Sequence, residues 1–385
     1  MKLAEHIKLE KSALVKKYSE SNNAIAASQI LSTIIPYFAL FYIAVFSLNI
    51  SYWITAAALI GLVMITLRVF MMMHDAGHNC LFLTARQNSI AGFIMGVMCG
   101  VPAYVWSKHH AYHHSTNGNW NKYRGPLSVL SSNEYSKLSE KKKKSYVNSR
   151  NILLAPLGGF SYFIFTPRYT WIKGSIQFLL HIIKNKLGAR KMSIKDTTNS
   201  FETRYWANWT EYRHMTGNNI ALISAIISAS WYFGVIPFFT IYVIALSLAG
   251  ALGIILFTIQ HNFDGSHATG DEGWDYNMAA LKGTSYLDLP RLLHWFTADI
   301  GYHHVHHLSA RIPNYKLREC HEEYLHLFKE VPTIKLKDVV GSFKFILWDE
   351  ASSRMVSIQQ YNQRITEAGL AKDNATEINI SLLAS

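Results

Sequence analysis

Ten of the chain's eighteen histidines fall into three short clusters. They read His74-Asp75-Ala76-Gly77-His78, His109-His110-Ala111-Tyr112-His113-His114 and His303-His304-Val305-His306-His307. Residues at i, i+3 and i+4 share one face of a helix, so each cluster can aim its imidazoles at one point. His74 and His78 form an i, i+4 pair. His110, His113 and His114 form an i, i+3, i+4 set, as do His303, His306 and His307. His109 with His113, and His304 with His307, satisfy such spacings too, so the pattern leaves open which of each adjacent pair binds. Neutral imidazole suits zinc, copper, iron and nickel alike. Eight such ligands are too many for one tetrahedral ion and suit two five- or six-coordinate ions, and His261 is placed to add a ninth. Asp75 fits the role of a carboxylate that accepts the second N–H of a ligating imidazole. The scattered His6, His181, His214, His267, His294, His321 and His326 read as solvated or hydrogen-bonded side chains. No Walker-type glycine loop, GxSxG turn or HExxH motif offers competing chemistry.

The elements that must position these clusters are set by where charge is missing. The 385 residues are 50% hydrophobic and 16% charged, against roughly 25% charged in a soluble protein. That apolar content excludes disorder. Ser21 to Leu67 is 47 residues without Lys, Arg, Asp or Glu, and His214 to Phe263 is 50. A hydrocarbon core takes about 20 helical residues per crossing, so each stretch fits two crossings and a tight turn. The spans expected are 30–48 and 53–73, with a turn around Asn49 to Tyr52, then 220–235 and 238–259, with a turn at Gly234 to Pro237. Arg68 is expected to snorkel towards the interface.

Cations set the orientation. Five Lys precede Ser21, 18 Lys and Arg lie between Lys108 and Arg213, and 12 follow Gln260. The positive-inside rule places all three blocks in the cytoplasm and accounts for the net charge of +12 without invoking nucleic acid. Gln87 to Ser107 and Asn151 to Pro167 could form a third hairpin, but that would put Lys141 to Lys144 outside; Gly92, Gly96, Gly100 and Pro102 suit a surface-lying or re-entrant piece instead. Three scattered cysteines, Cys80, Cys99 and Cys320, offer no disulfide framework, and the charged N-terminus does not read as a cleaved signal peptide. The fold expected is an all-α integral membrane protein: four transmembrane helices in two hairpins, and a cytosolic helical cap (74–219 and 260–350) carrying a histidine-rich di-metal site. A cytosolic segment, 1–29, precedes this body and a polar tail, 351–385, follows it.

At these motifs the sequence resembles the membrane fatty acid desaturase family, whose boxes are HxxxH or HxxxxH, HxxHH, and H or Q followed by xxHH. Here they read HDAGH, HAYHH and HHVHH. The flanks HDAGHNCLF, WSKHHAYHHSTNGNW, FTIQHNFDGSHATGDEGW and LPRLLHWFTADIGYHHVHHLSARIPNY match as well. The last two are similar to the acyl-lipid, omega-6 or Δ12-like, branch of bacteria and plastids. The resemblance runs from about Ile30 to Trp348. It implies four transmembrane helices under a cytosolic cap, and a catalytic non-haem di-iron centre held by His74, His78, His110, His113, His114, His303, His306 and His307, with His261 as a further metal ligand. In the animal acyl-CoA branch an Asn four residues before that last histidine binds through water; Phe257 stands there in this chain.

The implied activity is the insertion of a cis double bond into an acyl chain, with two non-haem iron ions as cofactor and O₂ as co-substrate. A mid-chain methylene C–H is not acidic, so no general base of ordinary pKa removes its proton, and zinc lacks the redox chemistry needed to take hydrogen. The substrate implied is an acyl-lipid, acyl-CoA or acyl carrier protein. Trp106, Trp120, Trp274 or Trp295 is expected near the acyl path. No fused haem-binding His-Pro-Gly-Gly signature is present, so electrons must come from an external donor such as ferredoxin or cytochrome b5. Hydroxylases, acetylenases and carotenoid ketolases share the boxes; a histidine-rich metal transporter would want its ligands inside the membrane. The location implied is the bacterial cytoplasmic (inner) membrane, among membrane lipids, with both termini and the metal site cytoplasmic.

Overall fold

The charge-free stretches fold into the longest helices of the chain. The structure, a computed structural model, describes residues 3–125, 127–187 and 192–367. Helix α1 is Leu3–Tyr18 and α2 is Asn23–Phe46, begun by the Asn22 side chain accepting from the amides of Ala24 and Ile25. Helix α3, Tyr52–Gly77, returns alongside α2 and ends in the first histidine cluster. Helices α4, Ala85–Cys99, and α5, Ala103–Thr116, form a pair bent by 101°. A helical run follows: α6, Ala155–Phe160, a π turn at Ser161–Phe165, and α7, Thr166–Leu187. Helices α8, Trp209–Phe233, and α9, Val235–His261, form the second long hairpin. Short helices follow: α10, Tyr276–Lys282, α11, Arg291–Phe296, α12, His303–Leu308, and α13, Asn314–Glu323.

Among the described residues, three helices are long and apolar enough to cross a bilayer: Asn23–Asn49 (α2 with its terminal turn), α3 and α9. The bent α4–α5 pair would make a fourth if it counts as one span. Helix α8, which contains the expected span 220–235, is not among them. Asn218 and Asn219 interrupt its apolar run, and the structure gives them work. Cys99 Sγ lies 4.0 Å from the carbonyl of Thr66, eight residues before His74, so the tip of the α4–α5 bend sits about 12 Å down α3 from the histidines. Residues 99–102 are buried, so the broken backbone at the tip must find its partners within the protein. Arg168 donates to the carbonyl of Gly100 and, at 2.9 Å, to that of Phe163 and to Asn219 Oδ1; Asn218 Nδ2 donates to the carbonyl of Val101 at 3.3 Å. Gly100 has φ of +73°, which closes α4 at the tip.

Three expectations are corrected. The second hairpin turns on Gly234 alone, with φ of +84°; Pro237 lies inside the first turn of α9, where its missing N–H had no partner to lose. Arg68 does not snorkel. It is 1% exposed, donates to Thr33 Oγ1 at 3.0 Å and to the carbonyl of Trp295, and lies 4.1 Å over the Trp295 ring. The fold is also not purely helical. Strands β1, Leu130–Ser131, β4, Phe345–Asp349, and β5, Arg354–Ser357, make one small sheet in the order β1-β4-β5. Strands β2, Tyr286–Asp288, and β3, Thr333–Lys335, pair in parallel in another. Short apolar runs such as Phe345 to Trp348 are too brief for a packed helix, and pairing satisfies their backbone. Strand β5 carries the folded body past residue 350; the part of the expected tail beyond residue 367 lies outside the described residues.

Candidate metal centre

Each histidine cluster sits where a helix begins or ends. Helix α3 delivers His74 in its last turn and is closed by His78. Helix α5 presents His110, His113 and His114 on its buried face while His109 points to solvent. Helix α9 ends at His261, and the six-residue α12 carries His303, His306 and His307. Just before α12, Ala298 and Asp299 both take left-handed backbone, φ +49° and +55°, an uncommon pair for non-glycine residues. The Asp299 amide donates to the His294 carbonyl at 2.9 Å, and Gln260 Nε2 donates to the Ile300 carbonyl at 2.7 Å. These bonds fix the approach to α12.

The nine expected residues converge in two sets. His74, His78, His110, His114 and His306 form one, and His113, His261, His303 and His307 the other; within each set one ring nitrogen per residue lies within 4.8 Å of all the others. Nitrogen-to-nitrogen separations of 3.1 Å (His110 to His114), 3.2 Å (His113 to His307) and 3.0 Å (His261 to His303) occur inside the sets. Two ligands at right angles on an ion with bonds of about 2.1 Å stand about 3 Å apart, so this spacing fits shared ions. The Nε2 atoms of His78 and His306 are buried without a hydrogen-bond partner among the described residues, as donors facing a cation would be. Burial first, and neighbouring imidazoles second, hold His78, His303, His306 and His307 well below the ordinary histidine range. They are neutral at pH 7, the form that ligates.

The ambiguous registers resolve. His304 is fully buried but turns away, its Nε2 2.8 Å from His321 Nδ1. Asp75 is a partner and not a member of either set: its Oδ1 lies 2.9 Å from His74 Nδ1, and its Oδ2 accepts from Asn314 N at 2.7 Å and Nδ2 at 2.8 Å. Of the four tryptophans, only Trp106 touches the cluster. It stacks on His110 with ring centres 4.5 Å apart and donates to the Tyr162 hydroxyl at 2.7 Å. Trp120 stacks on Trp348, Trp274 donates to the Asn117 carbonyl, and Trp295 covers Arg68. Phe257 packs against His113 and His261 with ring centres 4.9 and 5.2 Å away. The inward role of Arg68 was missed by sequence reasoning, although an ionisable residue within an apolar span is the usual signal for one. Asn314 and Arg168 carried no such signal.

The sequence profile of the family described as Fatty acid desaturase matches residues 47–335. A protein named Fatty acid desaturase from Bacillus subtilis (strain 168) is 35% identical over 342 residues, which cover 88% of this chain and 87% of that one. Omega-6 fatty acid desaturases of the chloroplast are similar over short stretches: 41% over 51 residues for that of Glycine max and 43% over 49 for that of Arabidopsis thaliana. Each stretch is 13% of this chain, and 12% and 11% of the plant proteins.

Proposed function

Since this chain belongs to the fatty acid desaturase family, we propose that it inserts a cis double bond into the acyl chain of a membrane lipid, using O₂ and two electrons. The observation that carries this reading is the convergence of nine histidines, buried or half-buried, into a five-member and a four-member set. Two non-haem iron ions would be held there, His74, His78, His110, His114 and His306 on one and His113, His261, His303 and His307 on the other. Bound iron would supply the oxidising power that no side chain has for an unactivated methylene. The chain's own residues do the rest. Asp75, fixed by Asn314, orients His74. Trp106 and Phe257 wall the cluster with apolar surface against which an acyl chain can lie, and burial keeps water from the reacting carbons.

The reading extends to topology. Helices α2, α3, α8 and α9 make four crossings, the histidines and both termini face the cytoplasm, and the membrane is the bacterial cytoplasmic one. Helix α8 earns its place because Phe233 at its end meets Phe41, Tyr42 and Phe46 of α2, far from the histidines. An acidic ferredoxin or cytochrome b5 docks on the basic cap; turnover falling steeply with added salt supports that, and salt-independent turnover counts against it.

The test is fatty-acid methyl ester profiling of a host expressing the chain, beside His110→Ala and His306→Ala. A new unsaturated ester, absent in both variants, is the expected result. A hydroxy or keto product would move the assignment to sister enzymes with the same boxes. No new lipid, with membrane expression confirmed and a donor supplied, would overturn the reading.

A further inference from the structure

Two of the scattered histidines, His6 and His326, meet on one carboxylate, outside the nine-histidine centre. Their Nε2 atoms each lie 3.0 Å from an oxygen of Glu10, and His326 reaches both oxygens. One donor atom from each of the three lies within 4.8 Å of the other two. His6 and Glu10 stand at i, i+4 on α1 and so share a face of that helix. His326 comes from the turn Leu325–Leu327, which packs against α1. The side chains of His6, Glu10 and His326 are 46%, 31% and 47% exposed, open to an ion from solvent. Pairing among side chains this exposed contributes little in water, whereas a shared ion would bond to all three. Two imidazoles and a carboxylate are the donor set of a zinc ion that keeps an open, water-filled position; calcium and magnesium favour oxygen ligands instead. The 3.0 Å separations match neighbouring ligands on one ion with bonds of about 2.1 Å.

We propose that His6, Glu10 and His326 form a separate site for a zinc-like divalent cation, which clasps α1 to the body of the protein. Helix α1 buries Ile7, Leu14 and Tyr18 in one apolar cluster with Val305 and Leu308 of α12. Lys17 and Tyr18 hold its C-terminal end on Glu323, and Lys11 holds its middle on Asn277. The cation closes the N-terminal end, beside Ile7, and so seals the apolar layer that α12 shares.

The test uses full-length, tag-free protein in detergent, beside His6→Ala and His326→Ala, with Zn²⁺ as the probe. After dialysis against zinc, elemental analysis is expected to find one zinc per chain fewer in each variant than in wild type, with other metals unchanged. Co²⁺ added to His326→Cys is expected to give a thiolate-to-cobalt charge-transfer band that wild type lacks, since its own three cysteines are buried; adding Glu10→Ala weakens that band. Tryptic cleavage at the exposed Lys8 of α1 is expected to slow about tenfold in wild type at zinc roughly ten times its dissociation constant, and to be unaffected by zinc in the alanine variants. Equal zinc in wild type and both variants, or no thiolate band, overturns the site and leaves the three side chains as a hydrogen-bonded group. Zinc lost from the variants while wild-type cleavage ignores zinc overturns the clasp. None of these readouts needs turnover, so the proposal stands or falls apart from the desaturase reading.

Discussion

His303 and His304 are neighbours, both almost fully buried, yet only His303 joins the four-histidine set; His304 pairs with His321. The distinction is one of direction, and it can be measured. His303→Ala is expected to lower bound metal in elemental analysis, whereas His304→Ala keeps the metal and loses about 1–3 kcal/mol of stability, because it empties a fully buried position and takes the partner from the half-buried His321. His109→Ala, at the exposed position beside His110, is expected to change neither. Asp75 acts one step back from the cluster. Its carboxylate spans His74 and Asn314, so Asp75→Asn keeps the shape but weakens the charge that steadies His74. Metal affinity in chelator competition is expected to fall roughly 10- to 100-fold; unchanged affinity would show that His74 needs no such support.

At the scale of elements, the bent α4–α5 pair is what brings the second cluster to the other two, and its tip is held by polar groups from α7 and α8. Arg168→Leu leaves the Gly100 and Phe163 carbonyls without their donor, at about 1–3 kcal/mol each. Helix α6 sets a second constraint, since a Cβ on Gly159 would lie 2.1 Å from the Ser247 carbonyl and 2.5 Å from the Ala251 amide. Gly159→Ala must push α6 off α9 and is expected to cost about 1–3 kcal/mol. Thermal unfolding in detergent tests both. If Arg168→Leu melts as wild type does, the tip is satisfied some other way.

For the whole molecule, the prediction concerns sidedness. The three cysteines, Cys80, Cys99 and Cys320, are buried, so the native chain offers little background to a thiol reagent. With the proposed topology, Ile50→Cys in the exposed turn between α2 and α3 reacts with an impermeant maleimide on intact cells, and Lys141→Cys reacts only after permeabilisation. The reverse pattern would invert the molecule and place the histidines outside.

The histidine clusters, the long apolar helices and a break at the glycine-rich segment were legible in the chain, because spacing along a helix and the absence of charge are local properties. His261 was legible too, from its place at the end of a span. What spacing could not decide was the partition of nine histidines into sets of five and four, since helix α5 contributes to both and only the packing of α3, α5, α9 and α12 says which ring faces which. Register within the doubled histidines likewise depends on where His321 and the α13 segment dock. Arg68 looked like an interfacial side chain because the sequence does not show that Thr33 and the Trp295 carbonyl close over it. The short strands escaped notice because a parallel pair such as β2 with β3 joins residues nearly fifty apart, and burial of a three-residue run has no periodicity to read. Local chemistry was written in the order of residues; which groups meet was decided by long-range packing, where a helix end finds its partner only once the chain has closed around it.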